Sequence, residues 1–333
     1  MDKVAVIGAG SWGTTVAWLA GGSVRTHLWA RRDDLAASIN ETRTNRQYLG
    51  DVALPDLVLA TDDLAEAVDG AGVVVMAVPS HGFRDVFTQI SGSLSDMTPV
   101  CSLTKGIEQG SLALMTQVIG EVSRRADMGN VGVLTGPNLA SEIAAGQPTA
   151  AVVAMPDQVT AEDLQQVFMS ATFRVYTNDD VVGCELGGAL KNVMAIAAGM
   201  SDGLGFGDNT RAALLTRALA ELTRLGVALG GRSETFAGLA GIGDLIATCI
   251  SSASRNHRVG VGLAEGKPLE QVIDDMKMVA EGVKTTKAVL DLSAKTGIEM
   301  PIAEHVGRVL YEGLHPREAV VALMTREAKP EQT

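Results

Sequence analysis

A chain of 333 residues with a net charge of −12 has room for about two domains, each large enough to bury a core without staples. The acidic balance argues against nucleic acid and anionic membranes as partners, because both need a basic face; small anionic ligands need only a few local cations. Cys101, Cys184 and Cys249 lie far apart and fit neither a zinc spacing nor a disulfide framework, which points to a reduced, intracellular setting. Met1-Asp2-Lys3 runs straight into an apolar stretch without the layout of a signal peptide, and no uninterrupted apolar run spans a bilayer. A soluble, cytoplasmic protein is expected.

The first apolar run, Val4–Ile7, leads directly into Gly8-Ala9-Gly10-Ser11-Trp12-Gly13 and then a helical stretch, Thr14–Leu19. This is G-x-G-x-x-G in its required strand–turn–helix setting. Gly8 allows the tight turn, Gly10 lets the backbone approach a pyrophosphate, and Gly13 lets helix and strand pack closely. Without that setting the glycines are an ordinary strand–helix turn. A second strand, Thr26–Trp29, ends in Ala30-Arg31-Arg32-Asp33. NAD-selective sites carry an acid here, whereas Ala30 is neutral. Arg31, 18 residues past Gly13, and Arg32 can hold a 2′-phosphate; the competing reading is a solvated basic turn.

Val73–Val78, Val100–Leu103 and Val131–Leu134 continue the series, and Ala151–Ala154 and Phe173–Tyr176 are candidates to extend it. Apolar strands alternating with helices predict a parallel sheet covered on both faces. The expectation for residues 1–180 is therefore an α/β, Rossmann-type dinucleotide-binding domain. Phe83 has two readings, beside an adenine or in the core. Lys105 follows Ser102-Leu103-Thr104, just beyond the carboxyl end of a strand, where open α/β sheets bind ligands.

From 181 to 330 the pattern predicts an all-α domain. Glu185–Met200 is apolar on nearly every face yet contains Lys191, whose neighbours at ±3 and ±4 are Gly187, Gly188, Met194 and Ala195. Either this lysine snorkels to the surface or it is buried with a lowered pKa suited to proton transfer. The run Gly203–Gly207 follows a helix, so it reads as a helix–helix connection. Asp208–Leu229 is expected to be capped by Asp208 or Asn209, with Arg217 and Glu221 paired on its polar side. Pro268–Met276 and Pro301–Tyr311 each place proline at a helix start. Between them in interest are Gly241-Ile242-Gly243-Asp244-Leu245 and Ser254-Arg255-Asn256-His257-Arg258. Asp244 can orient or charge-balance a lysine, and Arg255 and Asn256 suit a phosphate, although each segment alone also reads as a helix entry. The five histidines show no metal-ligand spacing, and no metal is expected.

Together, Gly8–Gly13, Val78-Pro79-Ser80, Thr104-Lys105-Gly106, Gly136-Pro137, Leu186–Asn192, Gly199–Gly203, Gly241–Leu245, Ser254-Arg255-Asn256 and Val279-Ala280-Glu281-Gly282 resemble the bacterial NAD(P)-dependent glycerol-3-phosphate dehydrogenases, in the family's order and over nearly the whole chain. The resemblance implies a 6-phosphogluconate-dehydrogenase-like helical domain and NADP or NAD as cofactor. It implies Lys191, Asp244 and Lys105 as catalytic residues. Gly136, Asn138, Ser254, Arg255 and Asn256 would join them at dihydroxyacetone phosphate or sn-glycerol 3-phosphate. It places Gly8, Gly10, Ser11, Trp12, Gly13, Arg31, Arg32, Lys105, Ala140, Arg255, Val279 and Glu281 at the cofactor. Asn138 departs from the family's serine or threonine. The chemistry is coherent: charge grows on the C2 oxygen during reduction, where a positioned ammonium can stabilise it and supply the proton.

Fold alone does not separate this reading from ketopantoate, 6-phosphogluconate or 3-hydroxyacyl dehydrogenases, or from a non-catalytic NADP-binding sensor. The Lys105, Asp244 and Arg255-Asn256 segments favour the first by resemblance, and a sensor would be expected to lose Lys191 or Asp244. The resemblance also implies supply of glycerol 3-phosphate to phospholipid synthesis. A homodimer is expected from the prevalence of twofold assemblies.

Overall fold

Eight strands form one sheet: β1 (Lys3–Ile7), β2 (Arg25–Trp29), β3 (Val58–Thr61), β4 (Val73–Met76), β5 (Val100–Ser102), β6 (Val131–Thr135), β7 (Thr149–Ala154) and β8 (Phe173–Asn178). The computed structural model describes residues 1–124, 127–276, 280–328 and 330. Spatial order is β3-β2-β1-β4-β5-β6-β7-β8. The first six strands are parallel, in the order that defines a dinucleotide-binding sheet with a switch point between β1 and β4. Alternate residues serve opposite faces: Val4, Val6, Val73 and Val75 pack on one side, Ala5, Ile7, Val74 and Met76 on the other. Phe83 is fully buried against that second face and stacks on Phe87, which assigns it to the core.

Two features of the sheet differ from the sequence reading. β3 was not among the expected strands; it is a four-residue edge strand with Leu59 exposed, too short for a pattern to stand out. β7 pairs antiparallel with β6 and parallel with β8. The connection from β6 contains only the five-residue helix Ala140–Ala144, less than the crossover helix a parallel return requires.

From Val181 onward the described residues form helices and turns. Those that shape the site are α2 (Val181–Gly203), α3 (Asp208–Ala228), α4 (Asp244–Ile250), α5 (Arg255–Ala264), α6 (Glu281–Thr296) and α7 (Pro301–Glu312); α1 (Ser11–Ala20) belongs to the sheet. α2 is long and apolar enough to cross a membrane by length and composition, although Glu185 and Lys191 interrupt its apolar run, and it is enclosed by protein. Its close crossing with α5 depends on Gly199: a Cβ there would lie 1.9 Å from the His257 carbonyl oxygen.

Two expectations about α3 are corrected. Its N-cap is Gly207, so neither Asp208 nor Asn209 caps it. Glu221 faces inward rather than pairing at the surface, and its carboxylate accepts from the Ile302 N–H at 2.9 and 3.1 Å, satisfying the start of α7. Burial, outweighing that bond, pushes the Glu221 carboxyl up to about 7.

Candidate active site

The loops at the carboxyl ends of β1, β2, β4, β5 and β6 share one edge of the sheet, the edge that faces ligands in this topology. Gly8 has φ +125°, a backbone conformation that penalises side chains. A Cβ on Gly13 would lie 1.9 Å from the Gly8 carbonyl oxygen, whereas one on Gly10 meets nothing within 4 Å. The turn is thus closed underneath and open above, and α1, which starts at Ser11, has no side-chain cap on its first N–H groups. Trp12 tilts against Phe173 at 6.3 Å, and its buried Nε1 has no partner among the described residues.

Arg31 is exposed and makes no hydrogen bond or ion pair with the described residues. Arg32 is engaged with Gln47 Oε1 at 2.6 Å and Asp34 at 3.5 Å. Ala140 begins the five-residue helix after β6. Glu281, at the start of α6, accepts from Ser80 Oγ at 2.7 Å and Ser80 N–H at 3.2 Å, joining the two parts of the chain. Val279 lies outside the described residues.

The charged centre lies between the sheet edge and the helices. Lys191 is buried, which removes the surface-snorkelling alternative. Its Nζ donates to Asp244 Oδ1 and, at 2.5 Å, to Thr248 Oγ1. Lys105 Nζ donates to the other carboxylate oxygen of Asp244 at 2.7 Å and to the Gly136 carbonyl at 2.8 Å. The buried Asp244 carboxylate therefore bridges two lysines brought from 53 and 139 residues away. Burial is the largest influence on Lys191 and outweighs the attraction of Asp244; Lys105 adds repulsion, and the ammonium pKa falls to about 7.

Asp244 starts α4 directly after a π-helical turn, Leu239–Gly243. Thr248, one helical turn further on, was not singled out from the sequence; only its i+4 spacing from Asp244 hinted at it. Asn192 was also missed as an individual site residue. Its amide donates to the Lys105 carbonyl at 2.8 Å, and its Oδ1 accepts from Asn256 Nδ2 at 2.9 Å, while Asn256 Oδ1 accepts from Gly282 N–H at 2.9 Å. Asn256 is thus tied into a network that runs from Lys105 to the start of α6. Ser254 caps α5, accepting from His257 N–H at 3.3 Å. Arg255 is the first residue of that helix and is solvent-accessible; the protein around it lowers its pKa, with Glu281 as the opposing charge. Asn138, half-buried, keeps both polar atoms of its side-chain amide buried and without a protein partner, a costly arrangement unless a ligand or water meets them.

A Rossmann sheet whose ligand edge meets a helical unit at a lysine–carboxylate–lysine cluster defines the class of two-part nicotinamide-dependent dehydrogenases. Family models described as the N-terminus and C-terminus of NAD-dependent glycerol-3-phosphate dehydrogenase match residues 3–161 and 180–321, and the chain belongs to that family. It is 55% identical over 304 residues to glycerol-3-phosphate dehydrogenase [NAD(P)+] 2 of Sphingopyxis alaskensis, covering 91% of this chain and 90% of the relative. It is 51% identical to the glycerol-3-phosphate dehydrogenase [NAD(P)+] of Moorella thermoacetica, covering 98% and 96%. The crystal structure of glycerol-3-phosphate dehydrogenase from Coxiella burnetii superposes with a TM-score of 0.92 at 38% identity, covering 98% of this chain and 99% of that one.

Proposed function

We propose that this chain reduces dihydroxyacetone phosphate to sn-glycerol 3-phosphate, reversibly, with NADPH or NADH. The observation that carries the reading is the Asp244 carboxylate held between Lys105 and the buried Lys191. Lys191 is the proton donor to the C2 oxygen in reduction and the acceptor in oxidation; a pKa of about 7 keeps both forms accessible at neutral pH. Asp244 sets its orientation and limits the fall in its pKa. Lys105 adds positive charge where the oxygen becomes negative. Thr248 fixes a second Lys191 donor, so the remaining one is aimed.

Arg255 clamps the phosphate, since a guanidinium can present two parallel N–H groups to phosphate oxygens, and the Ser254-capped start of α5 adds backbone N–H groups. Asn256 contributes chiefly through its ties to Asn192 and Gly282. The Gly136 loop closes one wall, and the unpartnered amide of Asn138 suits a substrate hydroxyl.

The cofactor fits the glycine turn. Gly8, Gly10, Ser11 and Gly13 would receive the pyrophosphate in the open space above Gly10. Trp12 offers an unsatisfied donor, and Arg31, with Arg32 beside it, would meet a 2′-phosphate. Ala140, Lys105, Arg255, Val279 and Glu281 complete that assignment. When bound, the nicotinamide supplies the hydride in one direction and takes it up in the other. Residues 1–180 are assigned as the dinucleotide-binding domain and 181–330 as the substrate domain. A cytoplasmic homodimer supplying phospholipid synthesis completes the proposal, supported by membership of the glycerol-3-phosphate dehydrogenase family and the prevalence of twofold assemblies.

The test is to follow nicotinamide absorbance with purified protein, NADPH or NADH, and dihydroxyacetone phosphate. Turnover to glycerol 3-phosphate is expected. Cofactor binding without turnover would instead support a non-catalytic sensor.

A further inference from the structure

We infer that His257 and Asp202 form a positioning pair that fixes the phosphate-binding end of α5 relative to Lys191. The inference rests on the assignment of Arg255 to the substrate phosphate. His257 is buried in the first turn of α5, two residues past Arg255, and its Nε2 lies 2.9 Å from Asp202 Oδ2. A carboxylate can only accept, so Nε2 carries the hydrogen. The other ring nitrogen, Nδ1, is buried without a partner among the described residues. Among the described residues, Asp202 is therefore the imidazole's one hydrogen-bond partner.

Asp202 belongs to the same helix as Lys191, 11 residues further on, close to three full turns at about 3.6 residues per turn. The two side chains thus leave α2 in similar directions. Asp202 is itself held: Arg211, from α3, donates to its Oδ1 through two guanidinium nitrogens, at 3.0 and 3.3 Å, and also reaches Asp208 at 3.0 Å. The carboxylate is fixed from two sides and offers His257 a defined acceptor.

Asn256 already bonds Asn192 at 2.9 Å, but one tie leaves a rotation about itself. Asn192 and Asp202 are separated by about 15 Å along α2, taking 1.5 Å per residue. Two anchors so far apart remove the rotation. Close backbone contacts at Gly199 and Gly260 set the separation of the helices, and the imidazole fixes the first turn of α5 along α2. Arg255, one residue before Asn256, is consequently held at a fixed distance from the Lys191 ammonium. Substrate phosphate and C2 oxygen are separated by a fixed covalent path, so this distance determines whether both ends bind at once.

The experiment compares His257→Leu, His257→Gln and Asp202→Asn with wild type in the full chain, measuring KM for dihydroxyacetone phosphate, kcat, and the Kd of NADPH by fluorescence. Misplacing a binding group by about 1 Å is costly. His257→Leu should raise the substrate KM about 10-fold while kcat falls less than about 3-fold and the NADPH Kd holds. Gln, which keeps a donor near the Nε2 position, should recover most of the loss. Asp202→Asn, which keeps the shape of the acceptor, should raise KM in the same direction and serves if the leucine variant does not fold. In an Arg255→Ala background, removing the tie should add less than about 2-fold, because the group being positioned is gone. An unchanged KM in the variants, a loss confined to kcat, no recovery with Gln, or effects that multiply with Arg255→Ala would overturn the inference. If Arg255→Ala alone leaves KM unchanged, the phosphate assignment fails instead.

Discussion

Replacing Lys191 with methionine separates the chemical role of the lysine from its structural cost. Methionine has similar length and fills the same buried space, so no cavity is expected. Asp244 stays paired with Lys105 at 2.7 Å, so no unpaired charge is left buried. Burial lowers the Lys191 pKa from 10.5 to about 7 despite the attraction of Asp244. At about 1.36 kcal/mol per unit, the buried ammonium costs the folded state on the order of 5 kcal/mol at neutral pH and below. The sign follows from proton counting: between pH 7 and 10.5 the folded chain binds fewer protons at this site than the unfolded chain, so this contribution to stability grows as pH rises through that window and is lost as pH falls. Lys191→Met should therefore keep or raise the Tm at pH 7 and lose this part of the rise at alkaline pH. Catalysis should move the other way. Losing a general acid costs about 10²–10⁴-fold in kcat, or about 3–5 kcal/mol of barrier. In wild type, reduction needs the protonated amine and should decline tenfold per unit above about pH 7; oxidation needs the neutral amine and should rise to a plateau above it. Thermal melts and steady-state nicotinamide absorbance in both directions test this. A folded variant with kcat within about tenfold of wild type, or with the same pH break, would refute the reasoning.

Arg255→Ala should raise KM for dihydroxyacetone phosphate about 10–100-fold, the worth of a charged hydrogen-bond pair, and lower kcat if phosphate binding also orients C2; initial-rate kinetics over a wide substrate range give the split. Arg31→Ala should raise KM for NADPH about tenfold and leave NADH nearly unchanged, whereas Arg32→Ala should do less because that guanidinium is already engaged with Gln47 and Asp34; equal effects on both cofactors would remove Arg31 from the 2′-phosphate. Glu221, raised from 4.5 to about 7 by burial, contributes stability that is present below about pH 4.5 and lost as pH rises through 7. Glu221→Gln keeps an acceptor for Ile302 N–H and should flatten that part of the Tm–pH curve; an unchanged slope would show that folding does not raise the carboxyl's pKa.

The dinucleotide half was legible because its signal is local. Gly8, Gly10 and Gly13 act within one turn, and the apolar runs of β1, β4, β5 and β6 are buried on both faces, which leaves a continuous pattern in the sequence. β3 escaped because a four-residue edge strand is too short for such a pattern to stand out. The reversal at β7 escaped because strand direction depends on whether the chain has a crossover helix, not on the strand's own residues.

The helical half was legible as helices but not as a network. The sequence by itself determined that Lys191 sits in an apolar helix without an acid within one turn, and that Lys105, Asp244 and Arg255 occur in suggestive segments. Only the tertiary structure decided that Lys191 is buried, that Asp244 is its counterion, and that Thr248 and Asn192 join the site. Only it turned Glu221 inward to the start of α7. Hydrogen bonds and charge pairing act over about 3 Å, whereas these partners are separated by 53 to 139 residues of chain. Nothing in a local pattern reports such a meeting; it follows from how α2 packs between the sheet edge and α5.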